Sequence, residues 1–558
     1  MKYLYKYRFV FYSIMISIIV LYPYLSTTLN YEHDTFFHLS RIEGYAKAIS
    51  NYDFLPSIYP LKNNNYGYIS PSFYCDILLL IPAILYNLNI PIIICYKVLL
   101  MIFTLISCFT IKEFISKFSK NDYSIYLGIS LFIFATYRLT NIYVRGAIGE
   151  ICAYSFLPIV LLGIYEFIFE NKYKNLVIGF SLLLLTHNIT FLLACMLFFI
   201  MIIINYRLIF FDRYKLINLI KAIILTLLLV SFFLFPMIEQ LISQEFILEN
   251  RKNASLMQTS SMHIYQFFQN RLNFNISKQD TSGMIVNIGL FLTFLPLFYL
   301  FVDKFVYENK FIKQCMILGY LSLMIQSSMI PWESFNILSF MQFVFRLNNI
   351  SIILLVLPAS IYITNVFFYS KYLIYTLLLL IIFNSIYLLN GVSHRTNIIT
   401  NSNTYNELIN GSIIDPYYSA YYVRTELAGA DYLPVNYFDY KENNYGIYNC
   451  ANNTIISIPI NNYNNLIFNI FGNNSVIRIP KTYYKGYKLY GIKNNEYHEI
   501  EIYKSNEGLI NFNNLGLYND FVLTYEKTLI KHICNFTSVA TLIVFFGICL
   551  YRKIRKLF

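Results

Sequence analysis

The segment from Tyr31 to Arg41, YEHDTFFHLSR, places an acid, an imidazole and a guanidinium at helical spacing. Asp34 stands where a helix is expected to begin, and His38 and Arg41 follow on the same helix face. A separate apolar stripe is formed by Leu39, Ile42, Ala46 and Ile49. The pattern predicts a helix lying on a membrane surface. Its polar face could remove a proton from a hydroxyl and bind a phosphate.

Further polar residues stand at the ends of hydrophobic runs, where charges are costly and often functional. They are Arg145 and Glu150 in YVRGAIGE, His187 and Asn188 in THNIT, and Arg346 in FRLNN. The predicted topology puts all of them on the external side together with Asp34. We therefore expect Asp34, Arg145, His187 and Arg346 to line one external cavity.

Each of these residues also has a purely structural explanation. Asp34 can cap a helix, and Arg145 and Glu150 can simply flank a membrane span. Arg346 can extend to lipid headgroups, and His187 with Asn188 can close a tight hairpin. Their shared compartment is what favours a functional site.

Composition excludes a soluble protein. The chain has 558 residues, of which 57% are hydrophobic and only 13% are charged. The net charge of +12 is concentrated between the hydrophobic runs, so it indicates membrane topology rather than nucleic-acid binding. The nine cysteines contain no CxxC pair, and a zinc or redox role has no support.

Hydropathy predicts about twelve membrane spans, because many runs approach the length that crosses a bilayer. The predicted spans are residues 9–28, 92–113, 124–138, 150–169, 175–188, 189–207, 216–238, 284–303, 312–329, 346–367, 372–391 and 532–550. Basic loops then lie in the cytoplasm with both termini, provided that residues 73–90 do not cross. The first external loop is expected to cover about residues 29–91.

A small external β-rich domain is expected at residues 392–531. Short alternating runs such as TIISIPI, LIFNIF, SVIRIP, HEIEIYK and DFVLTYE are separated by Asn-Asn pairs, and asparagine tolerates turn conformations. The predicted organisation is a transmembrane domain (1–391), a sandwich-like external domain (392–531), and a last span with a basic cytoplasmic tail (532–558).

Several segments, in this order, resemble a known group of membrane enzymes. They are HDTFFHLSRI, NNNYGYISPSFY, YVRGAIGE, LTHN, FRLNN, ELAGADYLPV (426–435) and PKTYYKGY (480–487). An aspartate soon after the first span, in a long external loop, resembles the GT-C glycosyltransferases. The closer resemblance is to the bacterial membrane proteins labelled 6-pyruvoyl-tetrahydropterin synthase-related and to the YfhO-like family.

The resemblance implies a polytopic α-helical, GT-C-like enzyme of the bacterial cell membrane. It would transfer a sugar from a polyprenyl-phosphate donor to a glycan, lipid or polymer acceptor of the cell envelope, with no nucleic acid involved. Asp34 would be the base. No cofactor is certain. Many GT-C enzymes carry a second acidic residue in the external loop, for which Glu32 and Glu43 are the candidates here, so the binding of a divalent cation stays open.

The residues expected to bind the substrate or the lipid phosphate are His38, Arg41, Arg145, Glu150, His187, Asn188 and Arg346. Two alternatives belong to other classes. A transporter or flippase of a lipid-linked glycan would show charged or broken helices at mid-span. A non-catalytic scaffold of envelope assembly would use its β-domain to bind polymer.

Overall fold

The computed structural model describes most of the chain. The described residues are 7–30, 32–250, 254–272, 284–301, 309–367, 370–394, 398–399, 431–435, 437, 445–452, 454–472 and 475–554. They fall into two compact units. The first unit comprises Met1–Thr35, Ile93–Thr226 and Lys252–Asn406, and the second comprises Phe36–Ile92, Leu227–Arg251 and Glu407–Phe558.

Most of the described chain outside the C-terminal sheets is helical. The α-helices are Arg8–Leu21, Thr35–Ser50, Ser70–Phe73, Leu80–Asn87, Ile92–Ser116, Asp122–Ile133, Thr136–Thr140, Ile148–Tyr154, Leu157–Glu170, Lys174–Leu184, Asn188–Ile204, Tyr206–Phe210, Arg213–Leu229, Ser231–Ser243, Ile247–Asn250, Ala254–Thr259, Leu290–Phe294, Lys310–Met324, Asn348–Val366, Lys371–Asn390 and Leu529–Ile554. Short 3-10 turns cover Tyr22–Leu25, Asp76–Leu79, Ile264–Phe268, Leu295–Phe301, Trp332–Ser334, Asn336–Met341, Val344–Leu347 and Gly391–His394, and a π-helical turn covers Asn141–Arg145.

The predicted count of about twelve spans is wrong. Within the described residues, six helical segments are long and apolar enough to cross a membrane, or up to eight if each of two bent helix pairs is one span. The six are Arg8–Leu25, Ile92–Ser116, Ile148–Glu170, Val344–Val366, Lys371–Asn390 and Leu529–Gly547; the bent pairs are Asp122–Ile133 with Thr136–Arg145 and Arg213–Leu229 with Ser231–Ser243.

The error has a geometric cause. A helix rises about 1.5 Å per residue, so crossing about 30 Å of hydrocarbon needs roughly 20 residues. The predicted spans at 175–188 and 284–303 contain only the short helices Lys174–Leu184 and Leu290–Phe301. Hydropathy registers apolar residues but not the turns that interrupt a helix.

The β-rich domain is confirmed and lies in the second unit. Its strands are β3 (Ile447–Asn449), β4 (Thr454–Ser457), β5 (Ile460–Asn461), β6 (Asn465–Asn469), β7 (Ser475–Thr482), β8 (Tyr487–Lys493), β9 (Glu496–Ile500), β10 (Ile502–Lys504), β11 (Leu509–Asn514) and β12 (Asp520–Tyr525); the short β1 (Leu29–Asn30) and β2 (Ile398–Ile399) pair in the first unit. They form two five-stranded sheets, ordered β10-β11-β7-β3-β4 and β5-β6-β12-β8-β9. Residues 400–430 of the predicted domain lie outside the described residues.

Both sheets contribute to one apolar core. Phe512 of β11 packs on Phe521 of β12 with ring centroids 5.3 Å apart, and Phe468 of β6 stacks on Phe521 at the same distance. Asn494 and Asn495 take left-handed conformations between β8 and β9, as expected for a two-residue hairpin. Of the Asn-Asn pairs expected to form turns between strands, Asn513–Asn514 does not, because both residues belong to β11.

A buried ion pair fastens the segment after helix Thr35–Ser50 in the second unit. Glu43 accepts from Lys62 at 2.6 Å and lies 2.9 Å from Lys47. Burial by itself raises the pKa of Glu43, but the ammonium groups of Lys62 and Lys47 outweigh it and lower this pKa from 4.5 to about 2. The unfolded carboxylate therefore binds its proton first as the pH falls, and the pair's stabilisation is lost below about pH 4.5.

We expect Glu43→Gln to destabilise the protein at pH 7 by about 3 kcal/mol at most, with more than half of that difference gone at pH 3. Thermal unfolding of both proteins in detergent at the two pH values measures this. Glu499→Gln is the control, because its exposed pair with Lys488 at 3.4 Å should contribute little at either pH. Equal destabilisation by Glu43→Gln at both pH values would contradict the ionic account.

Candidate functional site

A break in the first unit's helices separates Arg145 from Glu150, two of the predicted site residues, which contact each other across it. Helix Thr136–Thr140 passes into the π-helical turn Asn141–Arg145, which ends at Gly146 with φ of 62°. A Cβ on Gly146 would lie 2.8 Å from the Thr35 hydroxyl, so glycine permits the close approach of the turn before that residue. There the Asp34 N–H donates to the Arg145 carbonyl at 3.0 Å.

The Glu150 carboxylate is the centre of the site and is 1% exposed. Its Oε1 accepts from Arg145 Nη1 at 2.8 Å and from Arg346 Nε at 2.9 Å. Its Oε2 accepts from Tyr137 at 2.8 Å, Asn349 at 3.2 Å and Asn141 at 3.4 Å. We call these six residues the Glu150 cluster. With five donors on two oxygens, Glu150 is an anion that holds the arginines and has no capacity left to act as a base.

The two arginines keep donors in reserve. Arg145 makes its hydrogen bonds to described residues through Nη1. Arg346 uses Nε and Nη1, and its Nη1 donates to the Met341 carbonyl and the Gln342 side-chain oxygen at 2.8 Å. Among the residues that the structure describes, Arg145 Nε and Nη2 and Arg346 Nη2 have no acceptor. Two guanidiniums on one carboxylate also leave one net positive charge, so the cluster is suited to an anion.

Two phenylalanine rings contact the guanidiniums of Arg145 and Arg346. Phe343 and Phe345 stack with ring centroids 5.0 Å apart and nearly parallel planes. Arg346 lies 5.1 Å from the Phe343 centroid, and Arg145 lies 5.1 Å from the Phe345 centroid. Cation–π contacts of this kind hold planar guanidiniums in a fixed orientation.

His187 lies in the turn before helix Asn188–Ile204, outside the candidate spans. Its Nδ1 accepts from the Thr190 N–H at 3.2 Å, which places the proton of the neutral ring on Nε2. Burial lowers the pKa of His187 to about 3, with Glu150 and Asp34 opposing and Arg346 and Arg145 assisting that shift. The imidazole is therefore neutral at physiological pH and lies within the electrostatic range of the Glu150 cluster and Asp34.

The remaining predicted residues of this unit have simpler positions. Asp34 is half-buried directly before helix Thr35–Ser50, as the capping pattern predicted. Asn188 is half-buried and is the first residue of its helix. Glu32, one of the two candidate second acids, accepts from Tyr24 at 2.9 Å and from Thr35 at 2.7 Å. No group of three metal-ligating side chains occurs in the described parts of the chain.

His38 and Arg41 belong to a second buried cluster, in the second unit. Arg41 Nε donates to Asp76 at 2.8 Å, and Arg41 Nη1 lies 3.1 Å from His38 Nδ1. Tyr59 also donates to Asp76. Arg41 further lies 4.7 Å from the centre of the Tyr74 ring. The guanidinium is thus paired with a carboxylate within its own unit.

Sequence reasoning left several members of these clusters unassigned. In the Glu150 cluster they are Tyr137 and Asn141, and in the second cluster they are Tyr59 and Asp76; Asn349 belongs to the FRLNN segment that the sequence already indicated. Tyr137 and Asn141 precede Arg145 by eight and four residues, so helical spacing was a usable signal. Asp76 carried no such signal, because it is distant from Arg41 in the chain and lies at the start of an apolar run.

Comparison with protein-family models, with curated proteins and with solved structures finds no match for this chain. The resemblance to GT-C and YfhO-like proteins therefore stays an expectation drawn from the order of the motifs. Function is inferred below from the chemistry of the Glu150 cluster and Asp34.

We expect Glu150→Gln to destabilise the protein by about 3–5 kcal/mol, because removing one partner leaves buried charge unpaired. Thermal unfolding in detergent measures the loss. Glu170→Gln, at the end of the same candidate span, is the control: its carboxylate pairs with Lys117 at 2.6 Å on a more exposed surface, and it should cost under about 1 kcal/mol. If the two variants unfold at the same temperature, Glu150 does not hold the cluster together.

Proposed function

We propose that the chain is a membrane glycosyltransferase that moves a sugar from a polyprenyl-phosphate donor to an acceptor hydroxyl of the cell envelope. The observation that carries the proposal is the Glu150 cluster, in which Arg145 and Arg346 share one carboxylate and keep unused donors. Such a site suits a lipid phosphate, which carries negative charge and several acceptor oxygens. Asp34, beside Arg145 in the fold, supplies a carboxylate for proton removal.

The arginines would act on the leaving group. Arg145 Nη2 and Arg346 Nη2 donate to the phosphate oxygens, and the net positive charge of the cluster stabilises the negative charge that develops as the sugar–oxygen bond breaks. Glu150 is the positioning residue for both guanidiniums, since it fixes Arg145 Nη1 and Arg346 Nε. The stacked Phe343 and Phe345 limit their remaining motion.

Asp34 would act on the acceptor. Its carboxylate accepts the hydroxyl proton while the hydroxyl oxygen forms a bond to the anomeric carbon. The carbon–oxygen bond to the phosphate breaks in the same displacement, the polyprenyl phosphate leaves with the electron pair, and the configuration inverts. Neutral His187 donates through Nε2–H to donor or acceptor oxygens, and Asn188 lies at the same turn.

The partners follow from this reaction: a polyprenyl-phosphate sugar, an envelope glycan, lipid or polymer acceptor, and membrane lipids. The proposed location is the cell membrane, with both termini cytoplasmic and the β-domain external. Asp34 and the arginines suffice for the displacement as written, and a divalent cation is not needed for any step of it.

A transporter of a lipid-linked glycan is the second candidate, and one observation favours it. Arg138 is 1% exposed inside the bent helix pair Asp122–Ile133 and Thr136–Arg145, whose parts meet at 41°. It donates to the Ile133 carbonyl at 3.1 Å and the Thr104 hydroxyl at 2.7 Å, and among the described residues it has no acidic partner. Buried cations and broken helices are typical of transport proteins.

We expect Asp34→Asn to lower kcat by about 10²–10⁴-fold, because the amide keeps the shape and capping ability of the side chain but cannot take the proton. Arg145→Lys should impair transfer by raising KM, since an ammonium cannot reproduce the fork of a guanidinium. Sugar transfer from polyprenyl-phosphate donors by purified protein in detergent measures both effects.

Asp122→Asn is the matched control for Asp34→Asn, because Asp122 is a partly exposed carboxylate whose pairing with Arg8 at 2.8 Å needs no catalytic role. It should leave kcat unchanged. An Asp34→Asn protein that folds normally and retains full transfer activity would show that Asp34 is a helix cap. Donor binding and movement across vesicles without sugar transfer in the wild-type protein would favour the transporter.

The proposed topology predicts opposite labelling of two exposed positions in intact cells. In a Cys450→Ser background, Ile458→Cys should react with a membrane-impermeant maleimide, because Ile458 is exposed on the β-domain. Lys120→Cys should react only after the cells are opened, since the basic residues 112–122, at the end of helix Ile92–Ser116 and in the turn after it, are predicted to be cytoplasmic. Labelling of Lys120→Cys from outside would contradict the proposed topology.

A further inference from the structure

Two loops of the first unit expose large apolar side chains and carry almost no charge. They are residues 254–268 and 325–345, and we call them the paired loops. Their exposed apolar residues are Leu256, Ile264, Tyr265, Phe268, Ile325, Met329, Phe335 and Ile337. The first loop has no Asp, Glu, Lys or Arg and one exposed histidine, His263, and the only such charged residue of the second is Glu333. Loops facing water are usually polar, so this composition needs another explanation.

Hydrogen bonds join the two loops to each other. The Met262 N–H donates to the Gln326 carbonyl at 2.9 Å, and the Ser328 N–H returns a bond to the Met262 carbonyl at 2.8 Å. The Trp332 N–H donates to the Gln258 side chain at 2.7 Å. These bonds pair backbone groups of one loop with groups of the other, and such pairing is a requirement for chain that leaves water.

The apolar surface continues from a neighbouring helix. Helix Lys310–Met324 exposes Ile317, Leu321 and Met324, which are spaced by four and three residues and so share one face. That stripe passes directly into Ile325 and Met329 of the second loop. A protein partner would be expected to meet a polar rim, whereas an apolar surface that exposes Tyr265, with Glu333 as the only Asp, Glu, Lys or Arg of the paired loops, is typical of a membrane boundary.

We propose that the paired loops are seated in the hydrocarbon of the surrounding bilayer. The exposed side chains of Met329 and Ile337, which are 76% and 86% exposed, then face lipid tails instead of water. This position is favoured by the free energy of transferring each large apolar side chain from water to hydrocarbon.

The proposed position of the paired loops in the bilayer affects the Glu150 cluster. The second loop contains Met341 and Gln342 near its end, and the Met341 carbonyl and the Gln342 side-chain oxygen each accept from Arg346 at 2.8 Å. A loop anchored in hydrocarbon therefore fixes Arg346 beside the boundary where lipid phosphates lie. This membrane seat goes beyond the proposed sugar transfer and is measurable without any substrate.

The chain has a single tryptophan, Trp332, whose ring lies 5.9 Å from exposed Phe335. Tryptophan fluorescence of the full chain therefore reports on the paired loops directly. In nanodiscs made with acyl-chain-brominated phospholipid, Trp332 emission should be quenched relative to ordinary lipid. The variant Trp332→Phe with Ile337→Trp moves the reporter to the most exposed position and should lose most of its emission.

Trp332→Phe with Phe471→Trp is the matched control, because Phe471 on the β-domain is 83% exposed, close to the value for Ile337. It should keep its emission in brominated lipid and be quenched by aqueous iodide. Equal quenching of the two variants by brominated lipid, or no quenching of either, overturns the proposal. Quenching of the Ile337→Trp reporter by iodide alone also overturns it. Because no donor is present, these outcomes are independent of the transfer assay.

Discussion

The first unit depends on one electrostatic constraint: a carboxylate buried in an apolar helical body must be paired. Glu150 meets it with two guanidiniums and three neutral donors, of which Arg346 and Asn349 are distant in sequence and the other three come from the segment just before Glu150. Removing any one partner would leave charge stranded in a medium that solvates it poorly. The same arrangement leaves an excess of positive charge and unused guanidinium donors, which is why a structural necessity and an anion-binding capacity coincide here.

The site exists because helices are interrupted. The π-helical turn and the left-handed Gly146 redirect the chain between Arg145 and Glu150. The turn at His187 divides an apolar stretch that a continuous helix would otherwise fill. Interruptions of this kind leave backbone N–H and C=O groups without their helical partners. They are tolerated only where other groups form hydrogen bonds with those backbone groups.

The second unit meets its constraints with ion pairs and carbonyl contacts around a β-sandwich. Lys481 of β7 donates to the carbonyls of Pro60 and Asn65 at 2.7 and 2.6 Å, and burial lowers its pKa to about 7. The Asn-rich loop before Gly67 is thereby tied to the sheet. Arg41 with Asp76 performs a comparable task among aromatic rings, so His38 and Arg41 have a structural role in the unit that holds them.

By itself the sequence determined that apolar helices could span a membrane, that a helix follows Asp34 and that a β-domain precedes the last of these helices, and it singled out Arg145, Glu150 and Arg346 as polar residues at the ends of apolar runs. These follow from composition, from periods of 3.6 and 2 residues, and from polar residues at the ends of apolar runs, all of which are local properties. Only the tertiary structure decided how many runs are long enough to span a membrane and which charges pair. Hydropathy does not record where a helix breaks, and the partner of Glu150 or Arg41 is chosen by packing between segments distant in the chain.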